Sequence, residues 1–402
     1  DTWDAYHYRD LYGVPRLVLH GPHGETLRAE YGRDFVRRPG RQDIGGSGMG
    51  ELVLVASSPD YIQTESQGAG EYGLTAEAFR RRDRILLHLQ EEWKLGTRSL
   101  GRSGVLTMHV GPFDGRRYEL LYQSEKEAVE AVPGVYVSRE LVKRLLRASG
   151  QSLDALLSQV PRERGERALY LPLGWTAELD LPVVYHERQT VRNIMGRWPG
   201  SDVVLNKQVV LVTAYYDGLG RSPDGALYPG ANDNASGVAT LLEMVRCLKE
   251  GSYQPKRTLM FVAWSGGERH TPVDYERFMR AHPAYTLLDV VAALEIEGVG
   301  AGSGSAATLS HANRQKLTAV LRKAARRVGT PLTTRATGLH ADPERWPAPK
   351  SEIPSATLSW AGADAVAHLP EDTPEAIDPA KLAGAGRLAT LAVAVLGRDT
   401  AY

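Results

Sequence analysis

Two carboxylates and an imidazole, Asp233, Glu268 and His368, stand just past apolar runs in the second half of this sequence. Hard oxygens with one nitrogen form a zinc-ligand set that leaves room for water. Asp233 lies in PGANDNASG (229–237), between two runs that read as buried parallel strands, 209–213 and 259–264. A helix from roughly 235 to 248 fills the gap, with Leu241, Leu242, Met244, Val245 and Leu248 on one side. Strand, loop, helix and strand make a βαβ crossover. Ligands of open α/β sheets bind beyond the carboxyl ends of the strands, which is where Asp233 falls, with glycines on both sides. Each residue also has a plainer reading. Asp233 and Asn234 could simply cap the helix. Glu268 could be an exposed loop carboxylate, and His368 a surface histidine. Their shared position at strand exits of one sheet favours the chemical reading.

The other strand exits are polar as well. Tyr215, Tyr216 and Asp217 follow the first strand, Glu268 and His270 the second, and Glu295 and Glu297 close a third, VVAALEI (290–296). The segment 188–202 holds a strand before a Pro-Gly-Ser-Asp turn. Further strands read at 306–309 and 355–360, and helices at 275–280, at 314–328 with a basic outer face, and in a final segment ending near Leu396. This alternation predicts an α/β fold with a mostly parallel mixed sheet sandwiched by helices. Trp264, Trp346 and Trp360 could line a pocket, although Trp264 and Trp360 at strand ends read as core or rim. His340 reads as a loop histidine.

The first part of the chain is patterned differently. Residues 1–40 read as short strands or a hairpin. DIGGSGMGELVLV (43–55) places a glycine-rich loop before a strand, whereas a phosphate-cradling loop follows a strand and opens a helix, so the nucleotide reading is rejected. The pattern predicts a helix at 76–95 with Phe79, Ile85, Leu86 and Leu89 as its apolar face. Strands follow at 104–110 and 132–137, then the helix RELVKRLLRA (139–148) and a short amphipathic helix at 152–160. Strands mixed with short helices, and no clustered catalytic residues, suggest a smaller α/β insert that binds or shields. The expected domains are 1–175 and 176–402.

Composition narrows the classes. The 402 residues have a formal net charge of +0 and are 42% hydrophobic. No basic excess supports a nucleic-acid surface. No apolar run reads as long enough to span a membrane. The single cysteine, Cys247, reads as core filler and can form no internal disulfide. The chain starts at Asp1 without methionine, which a removed export signal or trimming would explain.

These segments resemble the zinc aminopeptidase family of the co-catalytic two-zinc type. Its clan also contains glutamate carboxypeptidase, glutaminyl cyclase, transferrin receptor and nicastrin. RQTVRNIMGRWPGSD (188–202) resembles the strand before the family's core. VVLVTAYYDGLG, PGANDNASGVATLLEMVR, RTLMFVAWSGGERH, ALEIEGVG and HLPEDTPEAID match its motifs in order, over about 181–396. GVYVSRELVKRLLRASGQSLDALL resembles the protease-associated insert common in the family. The resemblance implies a peptidase-like fold, a peptide or protein partner, export to the periplasm or outside the cell, and a place as a subunit of a larger assembly.

The departures from the family pattern are as informative. The resemblance puts Asp233 at the metal-bridging aspartate, Glu268 at the ligand glutamate and His368 at the final ligand histidine. Tyr215 stands where a ligand histidine is expected, with Asp217 retained. Gly267 replaces the general-base glutamate, and Glu295 a ligand aspartate. Tyrosine is a poor substitute, because a phenol of pKa ~10 must ionise to bind metal well. Glu295 adds a methylene where metal distances hold to about ±0.2 Å. The expectation is therefore one zinc at most, or none, held by Asp233, Glu268 and His368, beside a degenerate second site of Tyr215, Asp217 and Glu295. A positioned base contributes about 10²–10⁴-fold, and glycine accepts no proton. His270, Glu295 or Glu297 would have to replace it. The expected function is a non-catalytic binding or accessory protein, the alternative an active mono-zinc aminopeptidase.

Overall fold

The computed structural model describes residues 2–5, 8–11, 13–37, 46–56, 83–89, 104–108, 133–160, 169–186, 189–222, 225–265, 289–311, 315–335, 353–400 and 402. The chain divides into two compact units, one of Asp1–Tyr6 with Arg188–Tyr402, the other of His7–Glu187. Position 175 lies inside a strand, Leu169–Leu181, that belongs whole to the second unit.

Among the described residues, the main sheet of the larger unit has seven strands: β1 (Ile194–Trp198), β2 (Val209–Tyr215), β3 (Thr258–Trp264), β4 (Val290–Ile296), β5 (Ala307–His311), β6 (Leu332–Arg335) and β7 (Ser355–Trp360). Their order across the sheet is β1-β3-β2-β4-β7-β5-β6. The centre is parallel: β2 pairs in parallel with β3 and β4, and β4 with β7. Every residue of β2 is buried, as a strand covered on both faces requires. Val210, Val212 and Ala214 turn to one side with Leu259, Phe261 and Leu294. Val209, Leu211 and Tyr215 turn to the other with Met260 and Trp264.

Helices α1 (Ser236–Glu250), α2 (Gln315–Val328) and α3 (Pro379–Arg398) pack into the first of these cores. The buried stripe of α1 is Leu241, Met244 and Leu248, at helical spacing. Leu242 and Cys247 fall off that stripe and are exposed, so neither joins the core as the sequence pattern had placed them. A second correction concerns α3. It is 20 residues long and holds an 18-residue stretch with a mean hydropathy of 1.3, long and apolar enough by length and composition to span a membrane. Its Leu388, Ala389, Ala392, Val393 and Leu396 are fully buried in the core of this unit, which accounts for that composition.

The smaller unit has an eight-stranded mixed sheet. Gly46–Ala56 is a single strand between Leu169–Leu181, which runs antiparallel to it, and Arg84–His88, which runs parallel. The last of these corrects the helix expected at 76–95. RILLH is buried along its whole length between two parallel neighbours. A run of consecutive apolar residues fits a helix period or a doubly covered strand, and only its neighbours decide. The remainder of that predicted helix, and the one at 275–280, lie outside the described residues. Arg139–Ala148 forms a helix capped by Ser138, whose side chain accepts from the Leu141 N–H.

Candidate metal centre

The loop between β2 and α1 is held by its backbone. Gly230 has a φ of 65°, the left-handed turn that glycine adopts at least cost. The N–H groups of Asn232 and Asp233 then donate to Asp372 Oδ1 and Oδ2 at 2.7 and 2.9 Å. Asp372 is 1% exposed. Burial pushes its carboxyl above the ordinary value, the two N–H groups work against that, and the nearby Asp233 charge adds to it.

Side chains of the same loop stitch it to the segment leaving β4. Asn232 Oδ1 accepts from the N–H groups of Gly300 and Ala301, both at 2.8 Å. Asn234 Oδ1 accepts from the Gly237 and Gly298 N–H groups at 3.2 and 3.1 Å, while its Nδ2 donates to Ile296 O at 2.9 Å. Ser236 Oγ donates to Asn232 O and accepts from the Val299 N–H. Asn234 thus serves the start of α1, the capping role that the plainer reading gave to both residues. The carboxylate of Asp233 does something else.

Asp233 turns its two oxygens to different partners. Oδ2 lies 3.1 Å from His368 Nε2. Oδ1 accepts a hydrogen bond from the Tyr215 hydroxyl. The same hydroxyl lies 3.2 Å from Glu297 Oε1. Asp233, Glu297 and Tyr215 are 4%, 6% and 1% exposed, so the group is screened little by solvent. His368 has a φ of 59°, a left-handed conformation that costs a non-glycine residue about 1–3 kcal/mol and persists where surroundings enforce it.

The expected residues are distributed as follows. Asp233 and His368 come together, and Tyr215 joins them. Asp217 is half-buried just beyond β2. The Glu295 carboxylate accepts from Thr357 Oγ1 at 3.4 Å across the β4–β7 pair. Among the described contacts it is Glu297, two residues on, that meets Tyr215. Gly267, Glu268, His270, His340 and Trp346 lie outside the described residues. Trp264 and Trp360 are buried in the two cores. Sequence reasoning did not single out Asp372, Asn232 or Asn193, whose Oδ1 accepts from the Ser265 N–H at the exit of β3. Asp372 lay within HLPEDTPEAID, and a polar residue in a motif just past His368 was the available signal.

Among the described residues no group of three His, Cys, Asp or Glu side chains is placed to hold a metal, and the pair that stands nearest the expected set is Asp233 Oδ2 with His368 Nε2. Two atoms bonded to a tetrahedral zinc sit about 3.3–3.4 Å apart, close to their present 3.1 Å separation. On the Oδ1 side the neighbouring group is the Tyr215 hydroxyl, which hydrogen-bonds that oxygen.

Residues 193–393 match the peptidase family M28. The probable leucine aminopeptidase of Trichophyton verrucosum (strain HKI 0517) is 30% identical over 311 residues, covering 70% of this chain and 83% of that protein. In four other curated relatives the match covers only between 16% and 31% of the relative's own length. The fold is similar to that of the aminopeptidase from Aneurinibacillus sp. strain AM-1, with a TM-score of 0.67 at 16% identity, over 99% of this chain and 84% of that one. It is also similar to that of a zinc aminopeptidase from Bacillus subtilis, with a TM-score of 0.56 at 19% identity, over 100% of this chain and 86% of that one.

Proposed function

The chain belongs to the peptidase family M28, and from that premise we propose that it is a member with an impaired catalytic site. It acts by binding a peptide or protein, as an accessory or structural subunit. The observation that carries this reading is the Tyr215 hydroxyl on Asp233 Oδ1, a poor metal ligand until it ionises, standing where the family pattern has a ligand histidine. The base position supports it from the sequence, because Gly267 can accept no proton from water. Asp233, His368 and Glu268 would hold one zinc ion. Such an ion, when bound, polarises the oxygen of a carbonyl or water beside it. The chain's own part is to orient: Asp372 fixes the Asp233 backbone, and Asp233 faces His368. The smaller unit is read as a protease-associated-like domain that binds or shields. Export to the periplasm or outside the cell belongs to the same reading.

The test is a broad panel of peptides with free N-termini, assayed with and without added zinc. No turnover is expected. Metal-dependent release of N-terminal residues, abolished by Glu268→Ala, would overturn the reading.

The spacing of Asp233 Oδ2 and His368 Nε2 favours a second reading, an active mono-zinc aminopeptidase with a relocated base. In that case His270→Ala or Glu295→Ala removes activity while zinc stays bound. A silent peptide panel counts against it.

A further inference from the structure

We propose that Tyr215 is a positioning residue whose phenol stands in for a second metal ion. The inference rests on the one-metal reading above and adds how Asp233 is kept in place without a second cation. A carboxylate shared by two metals is oriented from both sides. Among the described residues His368 Nε2 lies on one side of it, 3.1 Å from Oδ2. The other oxygen accepts from the Tyr215 hydroxyl, which also lies 3.2 Å from Glu297 Oε1. Tyr215 closes β2 and Glu297 directly follows β4, neighbouring parallel strands of the same sheet. Tyr215 therefore ties the Asp233 loop to the end of β2, and with its one proton given to Asp233 it bonds Glu297 as well when that carboxyl carries a proton of its own. A hydroxyl proton here does the orienting work of a cation. Partners that orient a metal ligand from behind typically change metal affinity by about 10–100-fold when removed.

The experiment compares the full-length wild type with Tyr215→Phe, Glu297→Ala and the double variant Tyr215→His/Glu295→Asp. Amide hydrogen exchange is followed over 231–237, with zinc per chain measured by elemental analysis after dialysis. In the metal-free proteins, Tyr215→Phe is expected to speed exchange of this segment about tenfold or more, and Glu297→Ala to speed it to a smaller extent. Unchanged exchange in both variants overturns the proposal. The double variant is expected to exchange fast without zinc. With zinc it should regain wild-type protection and hold one ion more than the wild type, a rescue that loss of mere packing would not give. Failure to gain that ion, or gain without renewed protection, also overturns the proposal. A wild type that binds no zinc sinks the one-metal reading instead, and the metal-free exchange comparison still decides the role of Tyr215.

Discussion

Asp372 accepts the backbone N–H of Asp233 at 2.9 Å across 139 residues of sequence, and its other oxygen takes the N–H of Asn232. One buried carboxylate thereby fixes the backbone on which the candidate metal ligand is mounted. Asp372→Ala would leave two buried donors unsatisfied. At about 1–3 kcal/mol for each such group, a loss of roughly 2–6 kcal/mol is expected in urea denaturation. Asp372→Asn keeps one acceptor oxygen and should lose about half as much. Equal losses for the two variants would refute this account.

Gly237 sits in the first turn of α1, where alanine would ordinarily be tolerated. Here a Cβ would lie 2.3 Å from Ile296 O, a backbone atom that cannot move aside cheaply. Gly237→Ala is therefore expected to destabilise by about 1–3 kcal/mol, against the usual gain for this change in a helix. Thermal melting reads the sign directly.

The smaller unit carries a pH-sensitive anchor. Burial alone would raise the Asp34 carboxyl, but hydrogen bonds from Arg33 and Arg144 and from the Glu30 N–H outweigh it and hold the group at about 2, below its ordinary 3.8. A depressed carboxyl stabilises the fold above its unfolded value, and the contribution is lost as pH falls from about 4 towards 2. Arg33 and Arg144 are 60% and 43% exposed, which reduces the contribution to about 1–2 kcal/mol. Denaturation at pH 7 and at pH 2.5 should show that loss in the wild type and a smaller one in Asp34→Asn.

Zinc should protect the folded chain in proportion to its binding. At free zinc a hundredfold above the dissociation constant, the gain is about 2.7 kcal/mol. His368→Ala and Asp233→Ala are each expected to abolish the shift. A zinc-induced shift that survives in both variants would place the ion elsewhere.

The strands were legible in the sequence where local pattern leaves one solution. Val290–Ile296 and Ser355–Trp360 are apolar runs of strand length between turns, and they form as read. Helix Arg139–Ala148 follows from its period and its Ser138 cap. Arg84–His88 was misread because its apolar run is compatible with a helix, and the parallel neighbours that bury it are distant in sequence. The meeting of Asp233 with His368 was also legible, since parallel topology collects strand exits at one edge. The partner of each Asp233 oxygen was not. That choice depends on Tyr215 reaching across from β2, on Glu297 meeting it, and on Asp372 holding the loop. Residue pattern by itself determined the fold class and which strand ends could gather polar groups. The tertiary structure decided the hydrogen-bond partners, because distances of 3 Å between residues far apart in the chain are set by packing and leave no mark in local periodicity.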